Sequence, residues 1–237
     1  MKLFVMTDME GISGIHLMSQ VKKEFPADYA YGKRLLMDEI NFVVDALFSL
    51  GTDEVVVRDG HAGGCNIDMG EMDGRIGQHS MAGTLNGFLD HTMNSMEWFR
   101  YKINGMDAGE IAILASRAGA RNVPVLTVTG DYMAVLEAEK LLGKGDVSCA
   151  VVKDGIGRNW ANCLPIQKAR QAIYEALKEG VQKIGKVQPY KPQLPAVLEL
   201  TFYRSDFADC YHGRPEWERI DARTIRKITR SFMDSMW

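Results

Sequence analysis

Short apolar runs alternate with long helical stripes along most of the chain. Residues 3–7, 54–57, 123–128 and 150–152 are continuous or nearly continuous apolar runs. Runs of that length and character fit strands covered on both faces. Between the first two lies a helical pattern: Leu36, Ile40, Val43, Val44, Leu47 and Leu50 fall on one stripe at helical period, and Gly51 follows as a natural C′ residue. Asp131 reads as the N-cap of a helix running to Leu142. Residues 165–184 supply another helix, with Ala169, Ile173, Leu177 and Val181 four apart. This alternation predicts an α/β fold, a three-layer arrangement of a mostly parallel sheet with helices on both faces and right-handed crossovers.

One segment interrupts the alternation. Residues 98–103 read as a strand, and Asn104-Gly105 is a strong two-residue hairpin signal. Asp107 is expected to start a helix through Ala118, which places Glu110 in its first turn. The C-terminal part differs again. Residues 188–195 form a proline-punctuated, stiff connector. A strand over 196–203 and a basic helix over 223–236 are expected beyond it. The predicted organisation is a catalytic α/β domain over 1–186 and a small C-terminal α+β appendage over 187–237, too short for a core of its own and therefore packed on the first.

Composition narrows the function classes. The 237 residues are 46% hydrophobic and 25% charged, with a net charge of −3. That excludes a disordered chain, and with no basic stripe a nucleic-acid partner has no electrostatic support. No run approaches the ~18 apolar residues of a membrane span. The apolar start, residues 3–6, is too short for a signal-peptide core and ends at Asp8, so a cytoplasmic protein is expected. Cys65, Cys149, Cys163 and Cys210 form no C-x-x-C pair and read as reduced thiols.

The candidate chemistry gathers at strand ends. Asp8 and Glu10 lie two apart where the first strand stops, a spacing that turns both side chains to one side of an extended chain. Asp59 and His61 repeat the spacing after the second strand. In open α/β sheets ligands bind beyond the carboxyl ends of strands, so these four residues are expected in one crevice. Converging carboxylates repel unless a cation lies between them, and a divalent metal is the simplest cation. Three of the five histidines, His61, His79 and His91, fall within 31 residues among small or polar neighbours. Carboxylate plus imidazole ligands suit zinc, manganese or iron(II) better than magnesium. His16 and His212 read as surface residues.

The run Asp8-Met9-Glu10-Gly11-Ile12-Ser13-Gly14 resembles the opening signature of the zinc-dependent D-aminopeptidases, peptidase family M55. The blocks Asp59-Gly60-His61, the stretch from Gly77-Gln78-His79 to Thr84, His91-Thr92-Met93, Gly109-Glu110 and the stretch from Pro124 to Asp131 follow in the family's order, so the similarity covers most of the chain. The resemblance implies two zinc ions per chain. Asp8, Glu10 and His61 would hold the first, and Asp8, His79 and Glu110 the second. His91 would be the catalytic residue. It further implies hydrolysis of short peptides with a free N-terminus, D-specificity, and a homo-oligomer of ring type, decamer-like, enclosing the active sites. The 17 residues between His61 and His79 (62–78) are fewer than the family pattern has there, and the strand leading into the second histidine is missing from the sequence pattern.

Two rival readings come from the same residues. A strand ending in Asp8-x-Glu10-Gly11 is similar to the haloacid dehalogenase nucleophile motif, a magnesium phosphohydrolase. That motif has aspartate at the second position, and no later paired acidic motif follows here. The other rival is a non-catalytic family member with a degraded metal site. A dinucleotide loop is excluded: Gly11 and Gly14 lack the G-x-G-x-x-G order, and two carboxylates at the mouth would repel a pyrophosphate.

Overall fold

The computed structural model describes residues 1–63, 66 and 80–233. In chain order the elements are β1 (Lys2–Thr7), α1 (Pro26–Ser49), β2 (Glu54–Asp59), β3 (Trp98–Ile103), β4 (Met106–Asp107), α2 (Glu110–Ala120), β5 (Thr127–Asp131), α3 (Tyr132–Leu142), β6 (Ser148–Gly157), β7 (Trp160–Cys163), α4 (Ile166–Gln182), β8 (Ala196–Phe202), α5 (Ser205–Asp209), β9 (Glu218–Arg219) and β10 (Thr224–Thr229). The fold is mixed α/β. Its backbone divides into two compact units. One comprises Met1–His79, Leu85–Leu89 and Leu126–Val187; the other comprises Ser80–Thr84, Asp90–Val125 and Gln188–Trp237. The C-terminal segment thus forms a unit with residues 90–125. His79 and Cys65 lie outside the described residues, as does most of the shortened stretch after His61.

In the first unit β1 and β2 pair in parallel, with Thr7 opposite Asp59. A second sheet runs β5-β6-β7, parallel between β5 and β6 and antiparallel between β6 and β7. The helical stripe of α1 is buried as its period requires: Leu36, Ile40, Val43, Val44 and Leu47 are all inside. Val43 and Leu47 join Val5, Ala150, Val152, Ala169, Ile173 and Leu177 in one core, so α1 and α4 share the β1 and β6 side chains. Leu36 and Ile40, one turn earlier, belong to a second core with Met9, Ile12, Ile15, Val21 and Phe88. The turn after β1 therefore packs on the same helix as the strand itself. Gly51 ends the helix at φ +87° as the expected C′ residue. The third strand starts at Thr127, four residues later than the apolar run predicts; Asn122, at φ 59°, and Pro124 keep its first half out of a ladder.

The second unit is built on a five-stranded antiparallel sheet of order β4-β3-β8-β10-β9. Parallel pairing is thus confined to β1/β2 and β5/β6 among the described residues, and the expected mostly parallel sheet does not extend to this unit. Asn104 and Gly105, at φ 53° and 78°, make the predicted hairpin turn between β3 and β4. Asp107 ends that hairpin, and the helix begins at Glu110.

The expected basic helix over 223–236 is corrected by β10, an extended strand over its first part. Thr224, Ile225, Ile228 and Thr229 are β-branched, and β8 is a central strand whose Ala196, Leu198, Leu200 and Phe202 are all buried. Its second edge needs a ladder partner, and β10 supplies it. On the opposite face Lys102, Glu199, Arg226 and Glu218 stand directly opposite one another across β3, β8, β10 and β9, a row of alternating sign.

Candidate metal centre

Register brings the first two strand ends together. Thr7 accepts a hydrogen bond from the Gly60 N–H at 2.7 Å, so Asp8 and His61 leave adjacent parallel strands side by side. A Cβ at Gly60 would meet the Thr7 carbonyl oxygen at 2.9 Å, which a side chain there could not relieve without moving backbone. Asp8 is extended, and residues 9–11 then wind into a 3-10 turn. This turn, rather than a straight extended chain, swings the Glu10 carboxylate back beside Asp8.

Asp8, Glu10 and His61 are all buried, and one ligand atom from each lies within 4.8 Å of the others. His61 Nδ1 is 2.8 Å from Glu10 Oε2 and 3.3 Å from Asp8 Oδ1. The other ring nitrogen, Nε2, donates to the Val21 carbonyl at 3.0 Å when it carries the proton. That bond fixes the ring orientation and favours the tautomer whose Nδ1 lone pair faces the carboxylates, the arrangement of a metal-binding histidine. Val21 is held in turn by a short loop. Gln20 Oε1 accepts the His16 and Leu17 N–H groups, each at 2.8 Å. A Cβ at Gly32 of α1 would fall 2.1 Å from the Gln20 carbonyl oxygen, so the loop lies directly on the helix backbone.

The electrostatics are those of a site built around positive charge. Burial, and then the neighbouring Asp8 carboxylate, push the Glu10 carboxyl up to about 7. Burial alone would lower the His61 pKa; the Glu10 and Asp8 carboxylates overcome it and push it up to about 10. Protons thus occupy the place of a cation, and the donor set of two carboxylates and one imidazole fits zinc.

Asp59, expected in the same crevice, has a different task. Its Oδ1 accepts the His61 N–H at 3.1 Å, and its Oδ2 accepts the Asn66 N–H at 2.6 Å and side-chain amide at 3.0 Å. Asn66 Nδ2 also donates to the His61 carbonyl at 2.7 Å. Asp59 organises the loop that carries His61, in which Ala62 sits at φ 46°. Asn66, Val21 and Gln20 are contributors that the sequence pattern missed. A main-chain carbonyl carries no residue signal, and nothing in the spacing marks Asn66.

His91 and Glu110 both belong to the second unit. His91 Nε2 lies 4.0 Å from Glu110 Oε1, and Glu110 Oε1 accepts the Met93 N–H at 2.7 Å. Asp90 Oδ2 takes the Gly83 N–H at 2.6 Å, which ties the chain before His91 to the 80–84 segment. Elsewhere, Cys149, Cys163 and Cys210 are free thiols. Among the described residues no helix is long and apolar enough to cross a membrane.

Residues 1–77 and 75–237 match the family model for peptidase M55, D-aminopeptidase. The D-aminopeptidase of Bacillus subtilis (strain 168) is 29% identical over 246 residues, spanning 93% of this chain and 85% of that protein. A solved structure, the Zn-dependent D-aminopeptidase DppA from Bacillus subtilis, a self-compartmentalizing protease, matches with a TM-score of 0.90 at 27% identity, covering 98% of this chain and 93% of that one.

Proposed function

The chain belongs to the D-aminopeptidase family, peptidase M55, and from that we propose that it is a zinc-dependent aminopeptidase whose Asp8, Glu10 and His61 hold a metal ion. The observation that carries the reading is the buried convergence of these three side chains, with His61 Nδ1 facing the carboxylates and Nε2 tied to Val21. A zinc ion held by Asp8, Glu10 and His61 would supply Lewis-acid polarisation of the scissile carbonyl and activation of water. The protein's own residues do the rest. Asp8, Glu10 and the Val21 carbonyl fix the imidazole, and Asp59 with Asn66 holds the loop behind it. His91, whose Nε2 faces Glu110, moves a proton to the leaving amine. Asp8, His79 and Glu110 are the proposed ligands of a second zinc ion.

The substrate class is short peptides with a free α-amine, of D-configuration by analogy with the relatives, and the assembly is a homo-oligomer, as the description of the Bacillus protease suggests. The family match over both spans favours this reading over the phosphohydrolase. A panel of short D- and L-peptides, each with a free and an N-acetylated terminus, tests it by chromatography. Cleavage of free-amine peptides in the presence of zinc, and none of the acetylated set, is expected. Equal cleavage of acetylated peptides would remove the aminopeptidase activity, and cleavage of none would remove the peptidase.

A further inference from the structure

We propose that Lys153 is a positioning residue for the metal site: its ammonium clamps the Glu10 and Ile15 carbonyls together and so holds the turn that aims the Glu10 carboxylate. The inference rests on the zinc reading above. Lys153 stands in β6 and is 1% exposed. Its Nζ donates to the Glu10 carbonyl at 2.6 Å and to the Ile15 carbonyl at 2.9 Å, and it lies 4.9 Å from the centre of the Phe88 ring. Burying an ammonium is costly, and its retention calls for a task that an apolar residue cannot perform. The proposed chemistry gives Lys153 none, since both its hydrogen bonds go to main chain.

Those two bonds span the whole turn after β1. Glu39, from α1, grips the middle of the same turn, where its Oε2 accepts the Ser13 N–H at 2.9 Å. The turn is therefore held by a cation on one side and a carboxylate on the other. The carbonyl that Lys153 holds belongs to the very residue whose side chain reaches His61 Nδ1 at 2.8 Å. Rotating that peptide re-aims the carboxylate. An apolar side chain at 153 leaves the buried Glu10 carbonyl without its donor and the Ile15 carbonyl with only the Cys163 thiol at 3.5 Å, and the turn must rotate to hydrate them. Ligand geometry tolerates displacements of only about 0.5 Å. Losing an outer contact of this kind typically costs about 10–100-fold in metal affinity.

The test compares zinc affinity, by competition with a chromophoric chelator, in wild type, Lys153→Met, Lys153→Arg and Leu177→Ala. Lys153→Met is expected to bind zinc about 10–100-fold more weakly and to change the visible absorption of the cobalt-substituted protein, which reports coordination geometry. Lys153→Arg, which keeps the donors, should recover most of the affinity. Leu177→Ala truncates a buried side chain of α4 and lowers stability without touching the turn; zinc affinity within about threefold of wild type is expected there. If Lys153→Met does not fold, Lys153→Gln is measured against the same criterion. A folded variant with wild-type zinc affinity and an unchanged cobalt spectrum overturns the role of Lys153. A wild-type protein that binds no zinc overturns the metal site itself.

Discussion

Zinc binding should compete with protons, and the site's charges set how strongly. A metal ion needs Glu10 ionised and His61 neutral, yet in the metal-free protein the Glu10 carboxyl is pushed up to about 7 and His61 up to about 10. At pH 6 binding must displace about two protons; at pH 8, with Glu10 already ionised, about one. Raising the pH from 6 to 8 then contributes about 2.7 kcal/mol through His61 and about 1.4 kcal/mol through Glu10, roughly a thousandfold in affinity. Competition titrations at pH 6, 7 and 8 read the affinity. Calorimetry in buffers of different ionisation enthalpy counts the protons. Stability of the metal-free protein should move the other way. Both folded pKa values lie above the unfolded ones of 4.5 and 6.5, so the stabilisation is complete below those values and is lost as pH rises through about 7 and then about 10. Urea midpoints of the metal-free and zinc-loaded protein should therefore diverge between pH 5 and 9. An affinity flat within threefold from pH 6 to 8 would refute the reasoning.

Two further outcomes follow from the geometry. Asp131 caps α3 through the Ala134 N–H at 2.8 Å and also accepts the Phe88 N–H at 2.9 Å. Asp131→Ala removes the cap and strands a buried donor, about 3 kcal/mol together, or about 6–12 °C in melting temperature by calorimetry; a drop under 2 °C would show that neither bond matters. His91→Ala should retain zinc by elemental analysis and lose about 10²–10⁴-fold in peptidase rate, and a rate within twofold of wild type would remove His91 from the chemistry.

Local signals were readable where one residue type is tied to one geometry. Gly51 as C′, Asp131 as N-cap and Asn104-Gly105 as a hairpin all occupy the places their backbone preferences dictate. The meeting of Asp8 and His61 was equally legible, because each follows an apolar run of strand character and the parallel register sets the two side by side, whereas the approach of Glu10 depends on the 3-10 turn after Asp8. What escaped was decided by partners. Residues 224–229 carry basic and β-branched positions that fit a helix face or an edge strand, and only the open side of β8 selects the strand. The start of β5 was shifted because apolar content at 123–126 says nothing about whether a ladder partner lies alongside. Spacing places Asp59 in the crevice with Asp8, Glu10 and His61, but it cannot tell which way a carboxylate turns once Asn66 offers it two N–H groups.

The Val21 carbonyl that orients His61 has a bearing on how this site can change over evolutionary time. A contact made by the peptide backbone has no codon: any residue that accepts the same loop conformation delivers the same oxygen to Nε2. A substitution at position 21 that still packs in the core with Met9, Ile12 and Leu36 and keeps this loop path leaves the acceptor in place, whereas an insertion or deletion between Gln20 and Gly32 would move it bodily. For this contact, homologues are better compared by the spacing from Glu10 to the start of α1 than by the residue found at position 21.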